Sequence, residues 1–139
     1  MNTIAKKMIL EHEGRKSKLY QDTVGLTTIG VGYNLADKGL PDWVIDALFE
    51  QQLLTAELDC ARLFPTFFDL SEVRQAVLID MMYNLGLPRL AGFRMMGAAL
   101  DKKPPDFAEA ASQMMDSTWA KQVGKRAADL SKLMRGDAA

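Results

Sequence analysis

The sequence predicts an α+β fold in which a small sheet precedes a helical remainder. Three observations point there. Thr27-Thr28-Ile29-Gly30-Val31-Gly32-Tyr33 is the one stretch rich in β-branched residues and glycine, a composition that suits short, bent strands. Val44, Ile45, Leu48, Phe49, Leu53, Ala56, Cys60 and Leu63 keep one apolar face at helical spacing. Beyond them the apolar residues go on recurring at helical intervals to the end of the chain. Strands confined to one end make the class α+β.

The elements follow in order. Residues 3–12 read as a short amphipathic helix with Ile4, Met8 and Ile9 on one face, Thr3 as N-cap and Gly14 as the glycine that ends it. Leu19-Tyr20 is a short extended run, and Asp22-Thr23-Val24-Gly25 is turn chemistry. With Thr27 to Tyr33 they form a small hairpin or meander, and Asn34 to Gly39 reads as loop. Pro41 suits the first turn of a long helix that Pro65 stops. At 1.5 Å per residue that helix is roughly 30 Å long, enough to join two lobes. Ser71 or Asp69 caps the next helix, which runs to about Leu85 and is broken by Gly86 and Pro88. Short helical pieces are expected near 89–92 and 93–101. Pro104-Pro105-Asp106 starts another, with Asp106 and Glu109 at capping-box spacing. A last helix covers about 123–135, and the final residues from Gly136 read as a frayed tail.

Composition bounds the chemistry. A chain of 139 residues is one domain by length and buries about two-thirds of its unfolded surface, so it needs no disulfide or metal to fold. There are 17 basic and 18 acidic side chains, for a net charge of −1, so the broad basic field of a nucleic-acid binder is absent. Cys60 is the only cysteine, which fits folding in a reducing compartment. Cys60 and the 9 methionines are expected as core filler. The Met1–Leu10 stretch carries two lysines and too short an apolar run for a signal peptide. No stretch reaches the ~18–20 apolar residues of a membrane span. Gly30-Val31-Gly32 is not a dinucleotide fingerprint, and the lone His12 cannot build a zinc site. No cofactor and no metal are expected.

Carboxylate and hydroxyl chemistry remains. Asp42, Asp46, Glu50, Glu57, Asp59, Glu109 and Asp129 read as solvated helix-face charges. Glu13 stands at the last turn of the first helix, where the electronegative helix end favours its protonated form. A general acid needs that near neutral pH, although ordinary helix ends also carry glutamates. Glu11 lies roughly 200° around the helix from Glu13, so only one of them can face the sheet. Asp22 enters a turn and is also a common turn-former there. A hairpin could return Thr28 beside Asp22, or Thr28 is simply a strand-former. Together an acid, a carboxylate and a hydroxyl are the parts for hydrolysing a glycosidic bond: one protonates the leaving oxygen, one stabilises oxocarbenium-like charge, one positions water.

These residues resemble the phage-type muramidases, glycoside hydrolase family 24. The family pattern is a glutamate, an aspartate nine positions on and a threonine six further, and Glu13, Asp22 and Thr28 match both spacings. The Glu13-Gly14 and Thr28-Ile29-Gly30-Val31-Gly32 surroundings match as well. Leu48-Phe49 with Gln51 resembles the family's long central helix, and Val73 to Ile79 the helix after it. Gly86 followed by Leu90-Ala91-Gly92-Phe93 resembles its next turn. Ser117, Trp119 and Lys125-Arg126-Ala127 resemble its carboxyl-terminal region. Nearly the whole chain is covered, with a shorter segment than in the best-known member between Leu35 and Pro41.

The resemblance implies a single lysozyme-like catalytic domain over 1–139. A small lobe at about 14–40 is joined by a connecting helix at about 41–63 to a helical lobe at about 64–139 that includes helix 3–12. It implies an endolysin-type muramidase that cleaves the β-1,4 bond between N-acetylmuramic acid and N-acetylglucosamine in peptidoglycan, with inversion in the best-known member. Glu13 would be the acid, Asp22 the second carboxylate, and Thr28 the residue that places water. Arg126 would be the basic partner of the glutamate, or else a surface charge. Asn84 would bind a substrate acetamido group or cap a helix end. The best-known member pairs a histidine after Gly-x-Gly with an aspartate on the long helix. Tyr33 and Gln52 stand there in this chain, and a hydroxyl-to-amide bond could bridge the same gap without charge. The expected partner is bacterial peptidoglycan, with no nucleic acid, no membrane span and a monomeric state. Expected localisation is the host cytoplasm before lysis, with release to the wall through a holin-type hole. A binding module that holds peptidoglycan without cutting it is the alternative, and all three candidate catalytic residues are present against it.

Overall fold

The computed structural model describes residues 1–136. The fraying expected of the tail beyond Gly136 lies outside them. The chain divides into two compact units, Met1–Leu48 and the remainder from Phe49. Mostly helical with one small antiparallel sheet, it has the α+β class expected.

The first unit opens with α1 (Thr3–Glu13). Its N-cap is Asn2 rather than Thr3: Asn2 Oδ1 accepts from the Ala5 N–H at 3.0 Å. Asn and Thr both cap well, and here the helix begins one residue earlier than the threonine alone suggests. Gly14 ends α1 at φ 73°, and its N–H donates to the Leu10 carbonyl at 2.9 Å. The amphipathic spacing does not become burial, since Ile4, Met8 and Ile9 are all exposed.

Three strands follow, β1 (Lys16–Gln21), β2 (Thr27–Gly30) and β3 (Tyr33–Asn34), in the antiparallel order β1-β2-β3. Tyr20 pairs with Thr28 and Gln21 with Thr27, while Lys16 opposite Gly30 reveals a bulge between Lys16 and Tyr20. Thr28 also faces Asn34 across β3, so it sits on the central strand with a neighbour on each side. It is the only buried residue of this unit, at 2 % exposure.

The segment read as loop at 34–39 holds a one-turn helix, α2 (Leu35–Lys38). Asn34 Oδ1 caps it through the Asp37 N–H at 3.2 Å, and Gly39 closes it at φ 62°. Four residues carry too little periodicity to register as a helix in sequence.

The long helix is α3 (Asp42–Leu63). Its predicted apolar face is buried only toward its end, at Ala56 and Cys60, while Ile45, Leu48 and Phe49 are exposed. A 3₁₀ turn at Phe67–Asp69 leads into α4 (Glu72–Leu85), capped by Ser71 Oγ on the Arg74 N–H at 3.2 Å. Then come α5 (Leu87–Ala91), α6 (Arg94–Leu100), α7 (Phe107–Met115), α8 (Thr118–Val123) and α9 (Lys125–Arg135). Asp106 caps α7 as expected, with Oδ1 2.9 Å from the Glu109 N–H, but Glu109 Oε1 accepts from Gln113 Nε2 at 2.7 Å instead of closing a reciprocal box. The last helix expected at about 123–135 is α9, which starts at Lys125; the short α8 before it was not expected, and Gly124, at φ 56°, separates the two.

The second unit has the hydrophobic core. Helix α7 packs against α6 and α9, and α9 also packs against α4. Phe67, Leu78, Met81, Leu90, Met96, Leu100, Met114 and Met134 are fully buried there. Five methionines, the 81, 82, 96, 114 and 134 side chains, are core filler as expected, whereas Met8, Met95 and Met115 are exposed. Cys60 is buried, and burial, then the charges of Asp59 and Glu57, push its thiol up to about 12. That keeps it protonated and unreactive at neutral pH.

Candidate active site

Glu13, Asp22 and Thr28 all belong to the first unit. Glu13 is the last residue of α1, and Gly14 turns the chain away immediately after it. Its carboxyl group lies against Gly32, just past the end of β2: a Cβ built on Gly32 would sit 2.7 Å from Glu13 Cδ and Oε2. The helix end and the sheet therefore meet at this carboxyl group.

Asp22 occupies the mouth of the β1–β2 turn. Its Oδ1 accepts from the Val24 N–H at 2.9 Å and the Leu26 N–H at 2.8 Å. Its backbone N–H donates to the Leu26 carbonyl at 3.0 Å, and its own carbonyl accepts from Gly25, which stands at φ 85°. Asp22 is thus the turn-former that its position suggested. Among the described residues no donor engages Oδ2, so half of the carboxylate remains available for chemistry.

Thr28 Oγ1 donates to the Leu26 carbonyl at 2.8 Å. One residue therefore holds both side chains: Leu26 donates to Asp22 through its N–H and accepts from Thr28 through its carbonyl. With its proton committed to Leu26, the threonine hydroxyl has only acceptor capacity left, the polarity needed to hold a water by one of its hydrogens.

Tyr33 follows Gly32 on β3. Its hydroxyl donates to the Gly39 carbonyl at 2.5 Å, and Lys38 Nζ lies 5.5 Å from its ring centroid. Gln52, the amide suggested as its partner, accepts at Oε1 from the Tyr83 hydroxyl at 2.7 Å. Each group is engaged within its own unit.

Two supporting candidates lie in the second unit. Asn84 Oδ1 accepts from the indole N–H of buried Trp119 at 2.7 Å. The end of α4 is closed by the Gly86 N–H on Met82, so Asn84 does not cap the helix. Arg126 pairs with Asp80, Nε and Nη2 each 2.7 Å from Oδ1. Sequence reading missed Asp80, which carries no local motif. It also missed Leu26, whose contribution is made by its peptide groups and leaves no trace in residue type. A cleft of about 500 Å³ in the same unit is lined by Arg89, Phe93, Arg94, Gln113, Ser117 and Trp119, among others.

No cluster of metal-ligating side chains occurs among the described residues. No helix among them is long and apolar enough to cross a membrane.

The sequence profile of the family described as Phage lysozyme matches residues 10–135. A curated protein of Dictyostelium discoideum, described as "Probable T4-type lysozyme 1", is 27% identical over 150 aligned positions that cover 87% of each chain. The matched stretch takes in Glu13, the sheet, the long helix and every helix of the second unit, and on that evidence the chain belongs to the phage lysozyme family.

Proposed function

We propose that this protein is an endolysin-type muramidase that hydrolyses the β-1,4 bond between N-acetylmuramic acid and N-acetylglucosamine in bacterial peptidoglycan. The observation that carries the reading is the Leu26 bridge, which fixes Asp22 and Thr28 as one unit on the sheet whose β2–β3 connection meets the Glu13 carboxyl group. Membership of the lysozyme family and the T4-type relative support the same substrate class.

In the proposed reaction Glu13 gives its proton to the glycosidic oxygen as the C–O bond breaks. Asp22, through Oδ2, stabilises the oxocarbenium-like charge and receives a proton from the attacking water. Thr28 accepts a hydrogen bond from that water and aims its lone pair at the anomeric carbon. Water oxygen then bonds to that carbon from the face opposite the departing sugar, which is inversion. Asn84 keeps an amide N–H₂ with which to meet an acetamido carbonyl. Arg126 and Tyr33 are proposed as supporting residues.

The protein is further proposed to act as a monomer, gathering in the host cytoplasm and reaching the wall through a holin-type opening. The test is Glu13→Gln, which keeps the shape and removes the acid. A general acid contributes about 10²–10⁴-fold, so lysis of a chloroform-treated Gram-negative suspension should fall by that factor while the far-ultraviolet circular dichroism is unchanged. Wild-type clearing by this variant would sink the assignment. The anomer released first, read by proton NMR, decides inversion against retention.

A further inference from the structure

Gly30 and Gly32 are alike in sequence and different in surroundings. Both hold positive φ, 70° at Gly30 and 63° at Gly32, so an L side chain strains either one. A Cβ on Gly30 would meet nothing within 4 Å. A Cβ on Gly32 would stand 2.7 Å from both Cδ and Oε2 of Glu13 and 3.1 Å from its Cγ. Carbon atoms in ordinary contact keep about 3.5–4.0 Å apart, so the space is already taken.

We infer that Gly32 is a positioning residue for Glu13: its missing side chain is the seat in which the carboxyl group rests. The seat is fixed from both directions. Tyr33, the next residue, pairs with Ile29 across the sheet and is held by its hydroxyl bond to Gly39. Glu13 is fixed by the last turn of α1 and the Gly14 cap. Any side chain at position 32 would push the carboxyl group out, and the end of a flexible glutamate yields without unfolding the protein. The inference rests on the proposed role of Glu13 as the acid.

The experiment compares Gly32→Ala with Gly30→Ala, which puts the same side chain at a comparable positive φ without the clash. Both variants should lose similar melting temperature. Gly32→Ala alone should lose kcat with KM unchanged, by about a hundredfold, the usual cost of moving a catalytic group by about 1 Å. The Glu13 carboxyl ¹³C resonance, assigned by its loss in Glu13→Gln, should move in Gly32→Ala and stay in Gly30→Ala. Equal kcat in the two glycine variants overturns the inference, wherever the resonance lies. Should Gly32→Ala fail to fold, Glu13→Ala in the same chain must restore folding; failure to do so while Gly30→Ala folds also overturns it. An active Glu13→Gln would instead sink the acid assignment, so the two failures are distinct.

Discussion

Asp22 has two duties that a single substitution can separate. Oδ1 receives two backbone N–H groups and shapes the turn, and Oδ2 faces no donor among the described residues. Asparagine keeps an oxygen for the turn and removes the charge. Asp22→Asn is therefore expected to lose hydrolysis of purified sacculi while losing less melting temperature than Asp22→Ala, because its neutral oxygen still accepts in the turn, though more weakly. Asp22→Ala removes the acceptor too, and bonds to a charged acceptor contribute about 1.5–3 kcal/mol each, so its midpoint in urea should fall clearly. If both variants melt alike, the turn does not depend on Oδ1. At this scale the residue types were legible and their partners were not. The Glu13, Asp22 and Thr28 spacing is visible in the sequence, because hydroxyl and carboxylate chemistry resides in side chains. Leu26 was not, because a peptide group is the same at every position.

Among the elements, α9 is held at its end by a neighbour. Arg74 on α4 donates through Nε to the Met134 carbonyl at 2.7 Å and through Nη2 to Arg135 at 3.2 Å. Its guanidinium lies 3.5 Å from the Phe107 ring centroid on α7. One planar cation thus ties three helices and satisfies carbonyls that a helix end leaves open. Lysine has the charge but neither the fork nor the flat face. We expect Arg74→Lys to recover little of the stability lost in Arg74→Ala, about 2 kcal/mol for charged hydrogen bonds of this kind, as read from denaturant midpoints. Full recovery by lysine would show that charge alone matters. Helix boundaries were well read where a cap is a side chain or a glycine at an end, as at Gly14, Ser71 and Asp106. They were misread where the cue was weak: α2 is one turn long, and α8 spans only six residues before Gly124. Burial was less legible than helicity. The faces of α1 and of the first half of α3 have the right spacing and remain exposed, because spacing states which residues share a face and not whether anything covers it.

Over the whole molecule, core and candidate chemistry are divided between the two units. Every buried hydrophobic residue of the core lies at Ala56 or beyond. The first unit, with the three candidate catalytic side chains, buries Thr28 alone. A unit close to the ~40-residue limit below which disulfides or metal are usually needed, with only Thr28 buried, has too little core to fold by itself. A fragment of residues 49–139 is therefore expected to melt cooperatively, and a fragment of 1–48 to show no cooperative transition by circular dichroism. A sharp transition in the short fragment would refute this division.

The Leu26 bridge also bears on how relatives of this chain will diverge. Its N–H and carbonyl persist under replacement by any residue other than proline, so its service to Asp22 and Thr28 does not depend on the leucine side chain. What the two bonds require is the backbone spacing between Asp22, Leu26 and Thr28. An insertion or deletion of one residue between Leu26 and Thr28 would turn the Thr28 hydroxyl to the opposite face of the sheet.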